Sequence, residues 1–400
     1  MSMAKLEGIS LTDFGISKTI GFLLDRPLKK LPEYFEEWNA LAKEAPKLAS
    51  QDKKLRDKVQ RLPLLDHERL TTYRELRLAH LTLCAIATCY IWQEGDKGVP
   101  KVLPRTLAVP WCGVSRRLGL KPVTCIAAFV LANFKIKDAN RPVDLTNLEC
   151  LYEVVPGGRQ AEWFAIVSAM IEYDFAPAIT HIVEAISAAD GNDVVVYKNS
   201  MAGIRDSIIK MRNTLSRMHD ELDADVFYNV VRPYFNGWGG QDSPLPEGLI
   251  YEGVSEEPQK MIGGSNAQSS TLHLTDAALG IKHNNDITEY LRKVSTYMPP
   301  KHVEFTELIA KETNIRTFGK LSFSLDRDEE IWDSYNKAVQ AVIDFRSYHI
   351  QIVTKYVIIA ASKETRSRDY ESVSSKGTGG SSLIPFLKSI RDTTAQAIID

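Results

Sequence analysis

Apolar residues near the C-terminus follow one another at alternating steps of three and four, the spacing that places side chains on one face of an α-helix. The stripe consists of Tyr335, Ala338, Val342, Phe345, His349, Ile352, Tyr356 and Ile359. Polar residues such as Asp344, Gln351 and Lys355 fall on the other faces. The pattern predicts a long helix whose one histidine on this stripe, His349, points towards the core.

Another stripe with the same spacing predicts a second long helix in the middle of the chain. It consists of Met201, Ile204, Ile208, Met211, Leu215, Met218 and Leu222. We expect this helix to begin at Asn199 or Ser200, because both side chains can accept a hydrogen bond from a first-turn amide. The methionines are interpreted as ordinary core residues, since methionine fills irregular gaps between helices.

Strand patterns are nearly absent. A third helical pattern covers residues 50–92, with a break at Leu62-Pro63, and the only short stretch that suggests a strand is DVVVY at 193–197. No repeated alternation of strands and helices supports a parallel sheet. The sequence therefore predicts an all-α fold.

Two polar segments interrupt the helical pattern, at residues 236–270 and 363–382, and both are rich in glycine and serine. Loops of this length in a compact protein are usually functional or disordered. The GTGG in the second segment is a flexible tip that can bring backbone amides close to a ligand. It is not a P-loop, because its lysine precedes the glycines.

The chain is expected to form two domains. Prolines at positions 100, 104 and 110 and a turn-rich stretch at 135–160 mark the boundary. We assign residues 1–155 to a small helical domain and residues 156–400 to a large helical domain.

Composition narrows the classes of function. Lys and Arg number 49 and Asp and Glu 51, which argues against a broad nucleic-acid surface. The 5 cysteines form no CxxC pair, which is typical of a reducing compartment. No signal peptide and no uncharged membrane-spanning run is evident, so we predict a cytoplasmic protein without a membrane or nucleic-acid partner.

His349 has two interpretations from the residues alone. A histidine on an apolar stripe can be a core residue whose nitrogens are satisfied by neighbours. It can also be a metal ligand, since one helical histidine often holds haem iron from one side. The other histidines are interpreted as surface or capping residues or remain unassigned.

Several short strings then occur in order along the chain. They are VLANFKIKD at 130–138, NGWGG at 236–240, GLIYEGV at 248–254, IGGSNAQSS at 262–270, YMPPKH at 297–302, RSYHIQIVTKY at 346–356 and KGTGG at 376–380. Together they resemble the indoleamine 2,3-dioxygenase family, from about residue 60 to the C-terminus.

The resemblance implies a cytoplasmic, monomeric enzyme with haem b between its two helical domains and O2 as co-substrate. His349 would ligate the iron from the proximal side. The reaction of the family inserts both oxygen atoms across the indole C2–C3 bond of L-tryptophan or a related indoleamine, giving N-formylkynurenine. The family uses no catalytic side chain beyond the haem iron, so the protein supplies position and a dry cavity.

The same resemblance assigns the remaining site residues. On the cofactor side it implies Arg346 near a propionate, Asp276 in the proximal polar network, and Ser265 and Asn266 at the pocket. On the substrate side it implies Phe164, Phe227, Arg232, Thr378, Ser168, Gly237, Ile126 and Phe129. The arginine would grip the substrate carboxylate through paired hydrogen bonds.

The chain departs from vertebrate family members where the small domain roofs the pocket. Ile126 and Phe129 stand where those members carry tyrosine and cysteine, and Asn236 stands for a serine. A hydroxyl is lost and apolar volume is added, which can displace a ligand. Two alternatives therefore stay open, a haem protein that binds O2 with little dioxygenase activity and a haem-free helical interaction module.

Overall fold

The computed structural model describes residues 9–52, 54–240, 243–325, 329–363 and 383–400. Its regular structure is almost entirely helical, which confirms the all-α prediction. The α-helices are α1 Glu36–Lys47, α2 Leu55–Gln60, α3 Tyr73–Trp92, α4 Arg105–Leu118, α5 Ile126–Phe129, α6 Arg159–Gly191, α7 Val194–Ser216, α8 Met218–Glu221, α9 Ala224–Val226, α10 Ser270–Ala278, α11 Asn285–Ser295, α12 Pro300–Glu312, α13 Ile315–Ser324, α14 Glu329–Val353, α15 Ala360–Ser362 and α16 Leu383–Ala395.

Shorter elements connect these helices. The 3-10 helices are Leu11–Phe14, Glu33–Phe35, His67–Arg69, Asp96–Gly98, Arg232–Phe235 and Asn266–Gln268, and the π-helices are Leu48–Asp52, Phe227–Val231 and Thr354–Ile359. The strands are β1 Val102–Leu103, β2 Lys135–Ile136, β3 Leu148–Glu149 and β4 Ile250–Tyr251. β1 pairs with β4 in parallel and β2 pairs with β3 antiparallel.

The N-terminal part is built around α3, which packs against α1 and α4. Its start is fixed by a capping box, in which the Thr72 hydroxyl accepts from the Glu75 amide and the Glu75 carboxylate accepts from the Thr72 amide. The predicted break at Leu62-Pro63 is present, since α2 ends at Gln60 and α3 begins at Tyr73.

The C-terminal part is built around α6, α7 and α14, with α7 packed between the other two and α16 packed on α14. The methionine stripe of α7 and α8 is buried as predicted. The prediction for the stripe of α14 holds up to Tyr356 but is wrong for Ile359, which is 52% exposed. The cause is the π-helix Thr354–Ile359, whose wider turn shifts the register of the stripe.

The prediction of a strand at 193–197 is wrong. Those residues form the first turn of α7, and the Asp193 carboxylate caps it by accepting from the Val196 amide at 3.0 Å. The capping residue is therefore Asp193 rather than Asn199 or Ser200. The β-branched residues Val194, Val195 and Val196 favour a strand by composition, but the aspartate before them caps the start of a helix.

The described residues of segment 236–270 form a long loop that is closed by short backbone bridges. Trp238 bridges to Met261, Leu249 bridges to Gln259, and β4 pairs with β1 of the N-terminal part. One continuous hydrophobic cluster runs through both parts of the chain. The division into two domains at residue 155 stays a prediction.

One helix among those described, α6, is long and apolar enough to cross a membrane by length and composition. Within its most apolar window, 61% of the residues are buried inside the protein, and the helix packs along α7. We therefore assign α6 to the protein core.

Candidate cofactor and substrate site

Two overlapping cavities meet at His349. The first lies between α6, α7 and α14, and the second lies beneath α5 and the loop 263–268. Both are lined by Ile126, Val130, Phe164, Ser168, Phe227, Asn266, His349 and Val353. Because they share these residues, the two cavities form one continuous space.

The imidazole of His349 projects from α14 into both cavities. Among the described residues, none makes a hydrogen bond to its ring. Burial, together with the charge of Arg346, lowers the pKa of His349 to about 4. The ring is therefore neutral at physiological pH and keeps a lone pair, as a metal ligand must.

The first cavity has the lining that a flat apolar macrocycle requires. Its walls include Ile171, Met211, Leu215, Met218, Leu222, Leu272, Phe345, Ile352 and Val357. Within the described part of the chain, no group of three or more His, Cys, Asp and Glu residues is placed to hold a bare metal ion. A single free imidazole above an apolar bed fits a haem iron better than an ion coordinated only by the protein.

Arg346 and Asp276 form a buried ion pair behind this cavity and line neither space. One Arg346 nitrogen donates to both Asp276 oxygens at 2.7 and 2.8 Å, the other donates to the Thr394 hydroxyl, and His283 Nε2 donates to Asp276 at 3.0 Å. Burial would raise the pKa of Asp276, but the charge of Arg346 and the His283 bond lower it overall.

This ion pair fastens α14 to α10 and α16 one turn before His349. The described hydrogen bonds of Asp276 go to Arg346 and His283 rather than to the His349 ring. Asp276 therefore acts on the imidazole only by holding α14 in place. The contact of Arg346 with a haem propionate stays a prediction.

Arg232 lies in the wall of the second cavity. It follows the π-helix Phe227–Val231 and starts a 3-10 helix, an irregular passage of the kind often found at functional sites. The side chain is 4% exposed and its guanidinium lies 5.5 Å from the centre of the Tyr228 ring. Burial lowers the pKa of Arg232 to about 10, so the group remains a cation at neutral pH. A cation at the wall of an apolar cavity is a binding group for a carboxylate.

A cluster of phenylalanines joins α5 to α6 and to the irregular segment 227–235. The ring centroid of Phe129 lies 5.9 Å from that of Phe164 and 4.7 Å from that of Phe235, and the ring centroid of Phe164 lies 5.1 Å from that of Phe227. Phe235 also lines the second cavity. It is not among the residues predicted from the sequence, because an aromatic residue in an irregular segment carries no periodic signal.

The remaining candidates divide into three groups. Ile126, Phe129, Ser265 and Asn266 line the second cavity. Ser168 lines both cavities, but its hydroxyl donates to the Phe164 carbonyl of its own helix at 2.8 Å.

Gly237 lines neither cavity. A Cβ there would lie 2.2 Å from the Met261 carbonyl oxygen, so the position permits close backbone packing. Thr378 lies outside the described residues.

Three buried polar residues were not predicted as such from the sequence. Glu172 lines the first cavity and accepts from the Ser269 and Thr271 hydroxyls, each at 2.5 Å. Burial raises the pKa of Glu172. His80 and His302 are core residues, only 1% and 3% exposed, which corrects their interpretation as surface or capping residues. Their partners, a carbonyl and a hydroxyl from distant segments, leave no mark in the local sequence.

Comparison with known proteins agrees with this geometry. A family model described as indoleamine 2,3-dioxygenase matches residues 10–397. The chain is 40% identical over 386 residues to a protein named myoglobin from Haliotis madaka, covering 96% of this chain and 98% of that one. It is 38% identical over 398 residues to indoleamine 2,3-dioxygenase 2 of Homo sapiens, covering 98% and 96%. It is 37% identical over 396 residues to indoleamine 2,3-dioxygenase 1 of Rattus norvegicus, covering 97% and 96%.

Proposed function

Because the chain belongs to the indoleamine 2,3-dioxygenase family, we propose that it is a haem-dependent dioxygenase of L-tryptophan or a related indoleamine. The product would be N-formylkynurenine, formed by insertion of both atoms of O2 across the indole C2–C3 bond. The observation that carries the proposal is that the neutral imidazole of His349 faces both overlapping cavities, while the buried guanidinium of Arg232 lies in the wall of the second.

The residues around His349 fit haem b. When bound, the haem would supply O2 binding and electron transfer at its iron. His349 would be the axial ligand, and the apolar wall of α6, α7 and α14 would hold the macrocycle and exclude water. The pair of Arg346 and Asp276 would keep α14 in place, so that the imidazole keeps its orientation.

The residues of the second cavity fit a flat zwitterion such as tryptophan. Arg232 would bind the carboxylate, which fixes the orientation of the substrate as well as its charge. Phe164 and Phe227 would contact the indole ring by offset or edge-on packing. The chain would thus contribute position and dryness rather than a general base.

The wider setting belongs to the same proposal. We infer a cytoplasmic monomer whose partner is a small molecule rather than nucleic acid or a membrane. The nearly balanced charge, with a net value of −2, supports the absence of a nucleic-acid surface. Residues 1–155 would form the small domain above the haem and residues 156–400 the large domain that holds it.

A second function is favoured by two observations. Relatives from Haliotis madaka and Haliotis diversicolor, both named myoglobin, are 40% and 39% identical to the chain. In addition, Phe129 packs with Phe164 and Phe235 in the space beneath α5. A haem protein that binds O2 reversibly and converts little or no tryptophan is therefore the alternative.

A single-turnover experiment separates the two functions. The haem-loaded protein is reduced and mixed with O2 and L-tryptophan, and N-formylkynurenine is measured by mass spectrometry. Formation of about one product per haem supports the dioxygenase. Reversible O2 uptake without product supports the alternative, and failure to take up haem contradicts both.

A further inference from the structure

The roof of the second cavity is a helix too short to stand alone. Helix α5, Ile126–Phe129, has 4 residues, and no side chain caps its start at Cys125. Helix formation is unfavourable until several turns exist, so such a segment takes its position from tertiary contacts. Both Ile126 and Phe129 project from it into the second cavity.

Two polar side chains hold this helix, one from each part of the chain. Arg77 of α3 donates to the Ala127 carbonyl at 2.8 Å from the N-terminal part. Gln268, at the end of a 3-10 helix in the C-terminal part, has its amide oxygen 3.3 Å from the backbone nitrogen of Ile126, which donates to it. The side chain of Gln268 therefore forms a polar link between the roof and the opposite part of the protein.

The other end of the same amide holds the loop beneath the roof. Gln268 Nε2 donates to the Gly263 carbonyl at 2.9 Å. That loop carries Ser265 and Asn266 into the second cavity. It is packed closely on the next segment, because a Cβ at Gly263 would lie 2.0 Å from the Phe235 carbonyl oxygen.

Gln268 lines neither cavity and is only 1% exposed. Its amide oxygen accepts a hydrogen bond from the roof, and its amide nitrogen donates one to the loop. An amide is the neutral side chain that offers both from one planar group. We propose that Gln268 is a positioning residue that fixes the separation between the roof and the loop, and thereby the space of the second cavity in which O2 and substrate would bind. The substrate part of this inference rests on the proposed function.

The matched variants are Gln268→Met and Gln259→Met. Methionine keeps the length of the side chain and removes both hydrogen bonds. Gln259 is a suitable control, because its amide donates to Ser255 and to the Glu257 carbonyl within the segment 236–270 and lines neither cavity. Gln268→Asn is a second variant that stays polar but is too short to reach both partners.

The first measurement needs no substrate. Carbon monoxide is bound to the reduced, haem-loaded proteins, and the infrared C–O stretch is recorded together with the ratio of Soret to protein absorbance. We expect both Gln268 variants to shift or split the C–O band at an unchanged Soret ratio, and Gln259→Met to match the wild type. An unaltered band in both Gln268 variants, or a Soret ratio that falls in step with the band change, would overturn the proposal.

The second measurement tests the binding of substrate. The dissociation constant of L-tryptophan is determined from its effect on the Soret band, and we expect a rise of roughly 10- to 100-fold in the Gln268 variants. Unchanged affinity in these variants would refute the role of Gln268 in substrate positioning. If the wild type shows neither binding nor product, the proposed function fails, and the carbon monoxide result alone decides the role of Gln268 in fixing the roof.

Discussion

The two sides of the cavity are built in different ways. On the side of His349, the walls are α6, α7 and α14, helices of 33, 23 and 25 residues whose backbone groups are satisfied within each helix. On the roof side, α5 has 4 residues and the neighbouring 3-10 helices have 4 and 3. Side-chain hydrogen bonds and aromatic contacts, rather than continuous helix, fix the roof.

This difference separates two tasks. Long packed helices hold a ligating side chain in one orientation, because a close-packed interior is stiff. Short elements that are held by single side chains change position when one contact changes. Two of the three departures from vertebrate members, Ile126 and Phe129, lie in the roof. We therefore expect substitutions on the helix side to affect haem binding and substitutions in the roof to affect what binds beside the haem.

The largest effect is expected from removing one phenylalanine on each side. Phe345 and Phe129 are 7% and 2% exposed, and each truncation to alanine should lower the free energy of unfolding by about 3–5 kcal/mol. Phe345→Ala should also weaken haem binding, while Phe129→Ala should keep haem and admit larger ring-substituted indoles. Urea unfolding, haemin titration and a substrate panel test this.

Phe175→Ala is the matched control, since Phe175 is buried in α6 and lines neither cavity. It should lose stability without either functional change. Haem affinity that falls equally in Phe129→Ala and Phe345→Ala would remove the distinction between the two sides.

The next effect concerns the guanidinium of the second cavity. Arg232→Ala should raise the KM for L-tryptophan by roughly 10- to 150-fold, because a hydrogen bond to a charged group contributes about 1.5–3 kcal/mol. The KM for tryptamine, which has no carboxylate, should change little. Arg232→Lys should fall between, since it keeps the charge without the planar fork. Equal changes for both substrates would mean that the carboxylate binds elsewhere.

Acid should destabilise the haem-free protein, because buried histidines outside the cavity are held neutral in the native state. Burial, with the charge of Arg77, lowers the pKa of His302 to about 3, and burial lowers the pKa of His80 to about 4. Below the ordinary value of 6.5 the unfolded chain binds protons that the native protein does not. The free energy of unfolding of the haem-free protein should therefore fall between pH 6.5 and 4, by up to about 1.4 kcal/mol per pH unit for each histidine.

His302→Gln should reduce the pH dependence of the free energy of unfolding by the contribution of about one proton, which is up to about 1.4 kcal/mol per pH unit. Urea unfolding at several pH values measures this change. Its ring packs on Phe22 and is hydrogen-bonded to the Ser270 hydroxyl at the start of α10. An unchanged pH dependence would show that His302 is not held neutral in the native protein.

The smallest effect is expected at Ser168. Its hydroxyl lines both cavities but already donates to the Phe164 carbonyl. Ser168→Ala should therefore change kcat and KM less than about threefold and stability by less than about 0.5 kcal/mol. A loss of tenfold or more in kcat/KM would show that the hydroxyl turns towards the substrate.

The sequence predicted the helix side well, because that side is periodic. The stripes through Met211 and Phe345 follow from helical spacing, and His349 stands out as the polar member of its stripe. Periodicity fails at Ile359, where a π-helix changes the spacing, and at Val194, where one capping aspartate outweighs a β-branched run.

The roof could not be predicted in the same way. Phe235 and Gln268 act in the roof through contacts between distant segments, as Glu172 of α6 does on the helix side, and periodicity marks none of them. The buried bond of His283 to Asp276 is missed for the same reason. The resemblance to the family supplied Arg232 and Phe164, whose roles spacing alone does not indicate.

Axial ligation by His349 is the central claim and can be measured directly with His349→Gly. The wild type should bind one haem per chain by Soret titration, the variant should lose most of this binding, and added imidazole should restore it with the spectrum of an imidazole-ligated iron. Wild-type haem affinity and an unchanged spectrum in His349→Gly without imidazole would contradict the account.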